Sequence, residues 1–304
     1  MLDQITHLFR LRTILEEGSL RRAAERLNLT QPALSRSLAQ LEAHFGQPLV
    51  DRHARGVVAT PFGERVLTVS NRISRYWEIA ELELTADAFD KRSRIRIGAG
   101  PVWRAGILSD VFAEMQRLFP RLVIEVTPLV FGSTLDELRE GRIDVAFSGV
   151  ALDEDDSRQL ESHFLTNVTN QIMVRENHPL FDTVEDDGSI RDVSLLEYPW
   201  IIYSDMPIYR ETTQHAIYER LGREPEIRFV CSNLLSALSM LQTSDSLCLL
   251  PDLSVISANA PRIVPLPVKL SLRRAQTGII YRRELRDWEP VQALVELCKA
   301  KFNQ

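Results

Sequence analysis

Gln31, Ser35, Arg36 and Gln40 are side chains that can read the edges of DNA bases, and their spacing gathers them on one side of a helix. Arginine holds guanine with two hydrogen bonds, glutamine holds adenine the same way, and serine serves either. At ~100° per residue, Pro32, Ser35, Arg36, Ala39 and Gln40 share a face, with Gln31 at the helix tip and Leu34, Leu38 and Leu41 opposite. A second cationic group, Arg52-His-Ala-Arg55-Gly56, offers arginines suited to phosphate or to a minor groove. No competing chemistry stands out. Ser/His/Asp triads, phosphate-binding loops and metal-spaced ligands do not emerge. The six histidines are scattered, with His178 in a His-Pro-Leu turn and His44 near the end of the helix.

The elements that must position these residues are legible around them. Ser19 is placed to cap a first helix carrying Ala23, Ala24 and Leu27 on one side. Asn28-Leu29 is the turn, Thr30 caps the second helix, and Pro32 falls in its first turn, where a missing N–H costs nothing. An ordinary amphipathic pair in an all-α domain has the same pattern, but the following residues argue against it. Leu49-Val50 and Val57-Val58 flank the basic stretch as a small β-hairpin, a wing with Arg52 and Arg55 toward its tip. Thr60-Pro61 then opens another helix, where Phe62, Val66, Val69, Ile73, Tyr76 and Ala80 recur in heptad steps. Continued to about Asp87, that helix is roughly 40 Å long. Its stripe is expected to dimerise through Val66, Val69, Ile73, Tyr76 and Ala80. The alternative is a long helix packed within its own subunit.

The charge distribution fits a DNA-binding end. Net charge is −6, yet residues 1–60 carry eight arginines against six acids, a balance of +2, so the acidity lies beyond them. The chain is 44% hydrophobic. It contains no run of ~18 apolar residues long enough to span a membrane. Its N-terminus, with Asp3 and no apolar stretch, does not read as a signal peptide. A cytoplasmic protein is therefore expected. Cys231, Cys248 and Cys298 form no CxxC pair and fit reduced thiols. Redox sensing by Cys231 and Cys248 is disfavoured because Cys248 lies in an apolar run.

From Arg94 onward strands and helices alternate in a doubly wound α/β pattern. The first lobe is expected to hold strands Ile95–Gly98, Leu122–Val126 and Asp144–Ser148, with helices Ile107–Phe119 and Ser133–Glu140. Around Phe164–Thr169 the chain crosses to a second lobe. That lobe is expected to hold strands Gln171–Val174, Trp200–Tyr203, Ile227–Cys231 and Leu247–Leu250, and helices Tyr209–Leu221 and Leu234–Gln242. Pro261–Pro267 returns it to strand Gly278–Tyr281 and helix Pro290–Phe302. Two crossings make a hinge, which a ligand can bias. One decoy intrudes. Gly98-Ala-Gly100-Pro-Val-Trp103 mimics a dinucleotide-binding fingerprint, with Glu125 as the ribose-binding acid. Trp103 occupies the third glycine position, so a nicotinamide-dependent oxidoreductase is the weaker alternative. A purely architectural, ligand-independent DNA-binding protein is another.

The chain resembles the LysR-type transcriptional regulators over essentially its whole length. The resemblance is most specific at Ala23-Ala-Glu-Arg-Leu27, Thr30-Gln-Pro-Ala-Leu-Ser-Arg36, Leu41-Glu42 and Thr60-Pro-Phe-Gly-Glu64. It continues at Arg94-Ile-Arg-Ile-Gly98, Leu138–Phe147, Asn177-His-Pro-Leu180 and Thr277–Arg282. It implies a non-enzymatic regulator with a winged helix-turn-helix (1–60), a linker helix (61–90) and a two-lobed effector domain (93–304). Lobe I would be about 93–163 with 268–304, and lobe II about 164–267. Implied partners are double-stranded DNA, further copies of the chain in dimers and usually tetramers, and RNA polymerase where the protein activates. A bacterial, nucleoid-associated location follows, with no membrane partner, cofactor or metal. DNA contacts fall on Thr30, Gln31, Pro32, Ser35, Arg36, Gln40, Arg52 and Arg55. Family effector positions map onto Gly100, Pro101, Val102, Trp103, Phe131, Gly132, Ser133, Ser148, Gly149, Tyr203 and Ser204. Val102 and Phe131 are apolar where many members carry Ser or Thr, and Thr243-Ser-Asp-Ser246 replaces a glycine-rich turn. The effector class thus stays open between a simple acid and an aromatic compound or sugar stacked on Trp103. Trp103 as plain core packing is the competing reading.

Overall fold

The computed structural model describes residues 2–53, 56–85, 93–100, 102–129, 132–203, 218–219, 221–252, 262–268 and 274–302. Chain contacts divide it into two compact units. One is Met1–Ile95 with Arg121–Val123 and Leu135–Asp144, and the other is Arg96–Pro120 with Ile124–Thr134 and Val145–Gln304.

The first unit contains α1 (Leu2–Glu17), α2 (Leu20–Arg26), α3 (Gln31–Phe45), a hairpin of β1 (Val50–His53) and β2 (Gly56–Ala59), and α4 (Pro61–Thr85). Helix α1 lies ahead of every motif read from the sequence. It supplies Leu8, Leu11 and Ile14 to a core shared with Ala23, Ala24, Leu34, Leu38, Leu41 and Leu49. The two alanines are what let α2 sit close against its neighbours. Helix α4 has 25 residues, and its expected extension to Asp87 lies outside the described residues. Phe62, Val66 and Ile73 pack onto this same core, and the Ser70 hydroxyl donates to the Leu8 carbonyl at 3.1 Å.

Beyond α4 the chain is organised by a nine-stranded sheet. In chain order the elements are β3 (Arg94–Ala99), α5 (Ser109–Leu118), β4 (Val123–Pro128), α6 (Thr134–Arg139), β5 (Val145–Gly149), the short α7 (Asp156–Gln159) and β6 (Leu160–Arg175). They continue with β7 (Trp200–Tyr203), β8 (Ile227–Cys231), α8 (Leu234–Thr243), β9 (Leu247–Pro251), β10 (Ile263–Pro265), β11 (Arg274–Arg282) and α9 (Glu289–Phe302). The spatial order is β4-β3-β5-β11-β6-β9-β7-β8, with β10 beside β6. Strands β3 and β5 are parallel, as are β7 with β8 and with β9. Strand β6 is antiparallel to β11, β9 and β10.

Two expectations are refined and a third lies outside the described residues. The crossing near Phe164–Thr169 is no loop before a separate strand, because β6 is one 16-residue strand. Residues Leu160–Thr169 pair with β11 and Asn170–Arg175 with β9 and β10. No glycine or proline interrupts this stretch, so nothing ends the extended backbone. The expected helix Ile107–Phe119 is split between a π-helical turn at Trp103–Ile107, broken by Gly106 at φ +96°, and α5. Expected helix Tyr209–Leu221 lies almost wholly outside the described residues. In lobe II, alternate residues feed opposite layers. Ile172, Val174, Trp200 and Ile202 pack on one face, while Met173, Ile201, Cys248 and Leu250 pack on the other.

Segment Leu135–Asp144 belongs with the first unit. Gly141 takes φ +70°, a left-handed conformation that favours glycine, and packs against α4 at Arg75 and Asn71.

Candidate DNA-recognition surface and effector region

Each feature expected of the helix pair has a partner. The Ser19 hydroxyl accepts from the Arg22 N–H at 3.5 Å, and the Thr30 hydroxyl from the Ala33 N–H at 3.4 Å. Between them Asn28 takes φ +53°, in the left-handed region, and the Leu29 N–H donates to the Ala24 carbonyl. A short polar side chain tolerates that conformation better than a bulky one. Helix α3 buries Leu34, Ser37, Leu38 and Leu41. Its outer face leaves Gln31, Pro32, Arg36, Ala39 and Gln40 exposed and Ser35 half-exposed, with Thr30 exposed at the cap.

The end of α3 and the wing are tied together by the motif residues. The Glu42 carboxylate accepts from the Leu49 N–H at 2.9 Å. The buried Thr60 hydroxyl donates to the Pro48 carbonyl at 2.8 Å and accepts from the Gly63 N–H at 2.9 Å. Gly63 is required by contact, because a Cβ there would lie 1.9 Å from the Leu49 carbonyl oxygen. The hairpin pairs Arg52 with Val57 and His53 with Gly56. The Val57 N–H donates to the Gly18 carbonyl at 2.9 Å, docking the wing on the turn between α1 and α2. Arg52 is exposed on this wing. Arg55 lies outside the described residues.

The expected dimer stripe divides. Val66 is buried and Ile73 half-buried, both packed on the subunit's own core. Among the described residues of α4, the large apolar side chains that remain exposed are Val69, Tyr76, Trp77 at 58% and Leu84 at 81%. Ala80 is half-buried. Trp77 and Leu84 fall outside the strict heptad read from the sequence.

The effector positions separate into two groups. Gly100 donates its N–H to the Phe147 carbonyl at 3.0 Å, so it meets the end of β5, where Ser148 and Gly149 lie. Ser148 is half-buried and Gly149 exposed. Val102 and Ser133 are half-buried, Gly132 is exposed at φ +82°, and Tyr203 is half-buried at the end of β7. Pro101, Phe131 and Ser204 lie outside the described residues. Trp103 is not an open stacking platform. It is 3% exposed, its ring tilted on Phe147 at 5.2 Å and edge-on to Phe302 at 5.5 Å. An apolar indole between two phenyl rings gains more from burial than from waiting for a ligand.

Burial pushes Cys231 and Cys248 above the ordinary thiol range and Cys298 up to about 12.

Comparison with known proteins gives this architecture its relatives. Residues 5–64 match the family described as bacterial regulatory helix-turn-helix protein, lysR family, and residues 90–303 match the LysR substrate binding domain. The chain belongs to the LysR family of transcriptional regulators. It is thus a DNA-binding regulator with an effector-binding domain. The oxidoreductase reading of Gly98–Trp103 falls with that assignment. Over 300 residues this LysR-type regulator is 23% identical to the HTH-type transcriptional regulator TdcA of Escherichia coli strain K12, covering 98% of this chain and 93% of that one. Its fold is similar to full-length LysG from Corynebacterium glutamicum with bound effector Arg, at a TM-score of 0.70 and 17% identity, covering 97% of each chain. It is also similar to a full-length OxyR variant from Pseudomonas aeruginosa, at a TM-score of 0.67 and 18% identity, covering 97% of this chain and 94% of that one. Among the described residues no helix is long and apolar enough to cross a membrane, and no group of three or more His, Cys, Asp or Glu has the arrangement of a metal site.

Proposed function

We propose that the protein reads an operator through α3 and adjusts transcription when a small molecule occupies the region between the two lobes. Residues 1–60 bind DNA, 61–90 link and dimerise, and 93–304 receive the effector. Gln31, Pro32, Ser35, Arg36 and Gln40 face the major groove, with Arg36 in mid-face as the main base reader. Thr30 and the wing residues Arg52 and Arg55 hold the backbone and position the helix. The observation that carries this reading is the outer face of α3, where short and singly charged side chains stand exposed on a helix anchored by buried leucines.

Two copies join along α4 through Val69, Tyr76, Trp77, Ala80 and Leu84, because a contiguous exposed apolar face marks an interface. Such dimers associate further into tetramers. The effector contacts Gly100, Ser148 and Gly149 at the carboxyl ends of β3 and β5, where open α/β sheets take ligands, and Tyr203 from lobe II. With Trp103 in the core, a simple polar molecule held by backbone groups and Ser148 suits this site better than a stacked aromatic one. Contact with RNA polymerase and a place on the bacterial nucleoid belong to the same proposal.

The test is an operator duplex selected by the protein from a random library. Arg36→Ala is expected to lower operator affinity by about 1–3 kcal/mol and leave assembly intact. Equal binding by mutant and parent at matched salt would show that α3 does not read the groove.

A further inference from the structure

The first unit neutralises some of its arginines and spares others. On α1 and α2, Arg12 pairs with Glu16 at 2.8 Å, Arg21 with Glu25 at 3.9 Å, and Arg26 with Glu16 at 3.0 Å and Glu17 at 2.9 Å. Arg22 donates to the Glu17 carbonyl. Among the described residues of the winged helix-turn-helix, Arg10, Arg22, Arg36 and Arg52 have no carboxylate partner, and of these Arg22 is held by the Glu17 carbonyl on the turn between α1 and α2. Arg36 and Arg52 were legible as DNA contacts from their places on α3 and the wing. Arg10, on α1, was not.

Arg10 is tied to the recognition helix itself. Its Nη1 donates to the Ser37 hydroxyl at 3.3 Å, and that hydroxyl lies 2.6 Å from His7 Nδ1. Ser37 is buried and directly follows Arg36. With Arg10 donating, the single proton of the hydroxyl is free to go to the histidine. The chain Arg10 to Ser37 to His7 thus braces α3 against α1 and holds the guanidinium against the recognition helix. Arg10 itself is only half-buried. One of its five N–H groups is used, and the guanidinium keeps a full positive charge that no carboxylate among the described residues offsets.

We infer that Arg10 is a DNA-backbone contact, a phosphate clamp set by Ser37 and His7 beside the recognition helix. The inference rests on α3 lying in the major groove. A duplex seated there brings its phosphates to the flanks of the helix, where an unpaired guanidinium displaces condensed counterions.

Full-length protein is titrated over a series of NaCl concentrations with a fluorescein-labelled random duplex and with the selected operator. Arg10→Gln is expected to weaken binding to both duplexes by a similar factor and to flatten the log–log salt slope by about one per bound protomer. The operator-to-random ratio stays at the parent's value, and thermal melting confirms the fold. Arg10→Lys, which keeps the charge, retains the parent's slope. Arg36→Ala run in parallel collapses the ratio. An Arg10→Gln slope equal to the parent's, with Arg36→Ala still losing discrimination, overturns the clamp and spares the groove reading. A parent-like ratio in Arg36→Ala overturns the groove reading itself. A collapsed ratio in Arg10→Gln would make Arg10 a base reader and also overturn the clamp.

Discussion

Arg75 and Asp144 meet as two buried opposite charges, with Nε 2.9 Å from Oδ1 and Nη2 2.6 Å from Oδ2. Arg75 is 2% exposed and Asp144 0%. Nη2 also donates to the Arg94 carbonyl at 2.5 Å and Nη1 to Glu78 at 2.8 Å. Burial works against the guanidinium charge, and the bonds and attraction from Asp144 and Glu78 outweigh it, holding Arg75 above its ordinary value. The fork geometry matches a carboxylate in a way lysine does not.

Removing one partner of such a pair strands the other. Arg75→Ala is expected to destabilise the protein by about 3–5 kcal/mol, read as a lower urea midpoint. A loss below about 1 kcal/mol would place the pair among surface ion pairs in energetic terms.

Gly63 tolerates no side chain. Gly63→Ala must push the start of α4 away from the Leu49 carbonyl, breaking the hydrogen bonds that Thr60 makes with Pro48 and Gly63. Overpacking of this kind costs about 1–3 kcal/mol. Because the wing moves with it, operator affinity is expected to fall along with stability. A variant with the parent's melting temperature and DNA affinity would count against this tight junction.

The exposed face of α4 predicts a separation of stability from assembly. Trp77→Asp replaces a side chain that is exposed in the subunit, so the subunit's own fold is expected to keep its stability. Sedimentation should nevertheless show a lower mass, because a charge has entered the intersubunit face. An unchanged mass would mean that copies join elsewhere.

His178 makes stability depend on pH. Its Nδ1 accepts from the Leu180 N–H at 3.1 Å, and Nε2–H donates to the Asp245 carbonyl at 3.1 Å, so the ring is bound as the neutral form. Burial lowers its pKa, the backbone bond to Asp245 opposing this. As pH falls through the ordinary histidine value of ~6.5, the unfolded chain takes up the proton first, and stability falls. The loss stops once pH reaches the lower folded value. His163, also lowered by burial, acts in the same direction. The urea midpoint is therefore expected to drop between about pH 7.5 and about pH 5.5. His178→Gln should show a shallower drop, and an equal drop would assign the effect to other groups.

Ser148→Trp fills the end of β5. It is expected to abolish the response to whichever metabolite stabilises the parent in a thermal-shift screen, while Arg36-dependent operator binding survives. Full retention of ligand affinity would locate the effector elsewhere.

The motif residues were legible because each performs a local task that residue type alone reveals. Ser19 and Thr30 cap, the paired alanines admit a neighbour, and the leucines of α3 keep helical period, whereas the task of Gly63 against the Leu49 carbonyl shows only in the fold. The doubly wound pattern was legible for the same reason. Helix α1 was not, because the motifs begin after it and only tertiary contact shows Leu8, Leu11 and Ile14 facing α2 and α3. Heptad spacing found α4 but could not say which side meets the subunit's own core, where Val66 is buried, or that Trp77 stands exposed. Trp103 carried two meanings until Phe147 and Phe302 were seen against it. Ion pairs such as Arg75 with Asp144 join residues far apart in the chain, and no local pattern announces them.

Strand β6 has a consequence for how relatives of this protein can exchange parts. Its sixteen residues serve lobe I at one end and lobe II at the other, and opposite Leu165 the β11 register shifts between Thr277 and Gly278. A recombination breakpoint anywhere along it would join half-ladders evolved for different partners, leaving backbone groups unmatched on both sides. The two lobes are therefore expected to be inherited as a single cassette, whereas the winged helix-turn-helix ahead of α4 can be traded between lineages without cutting a shared strand.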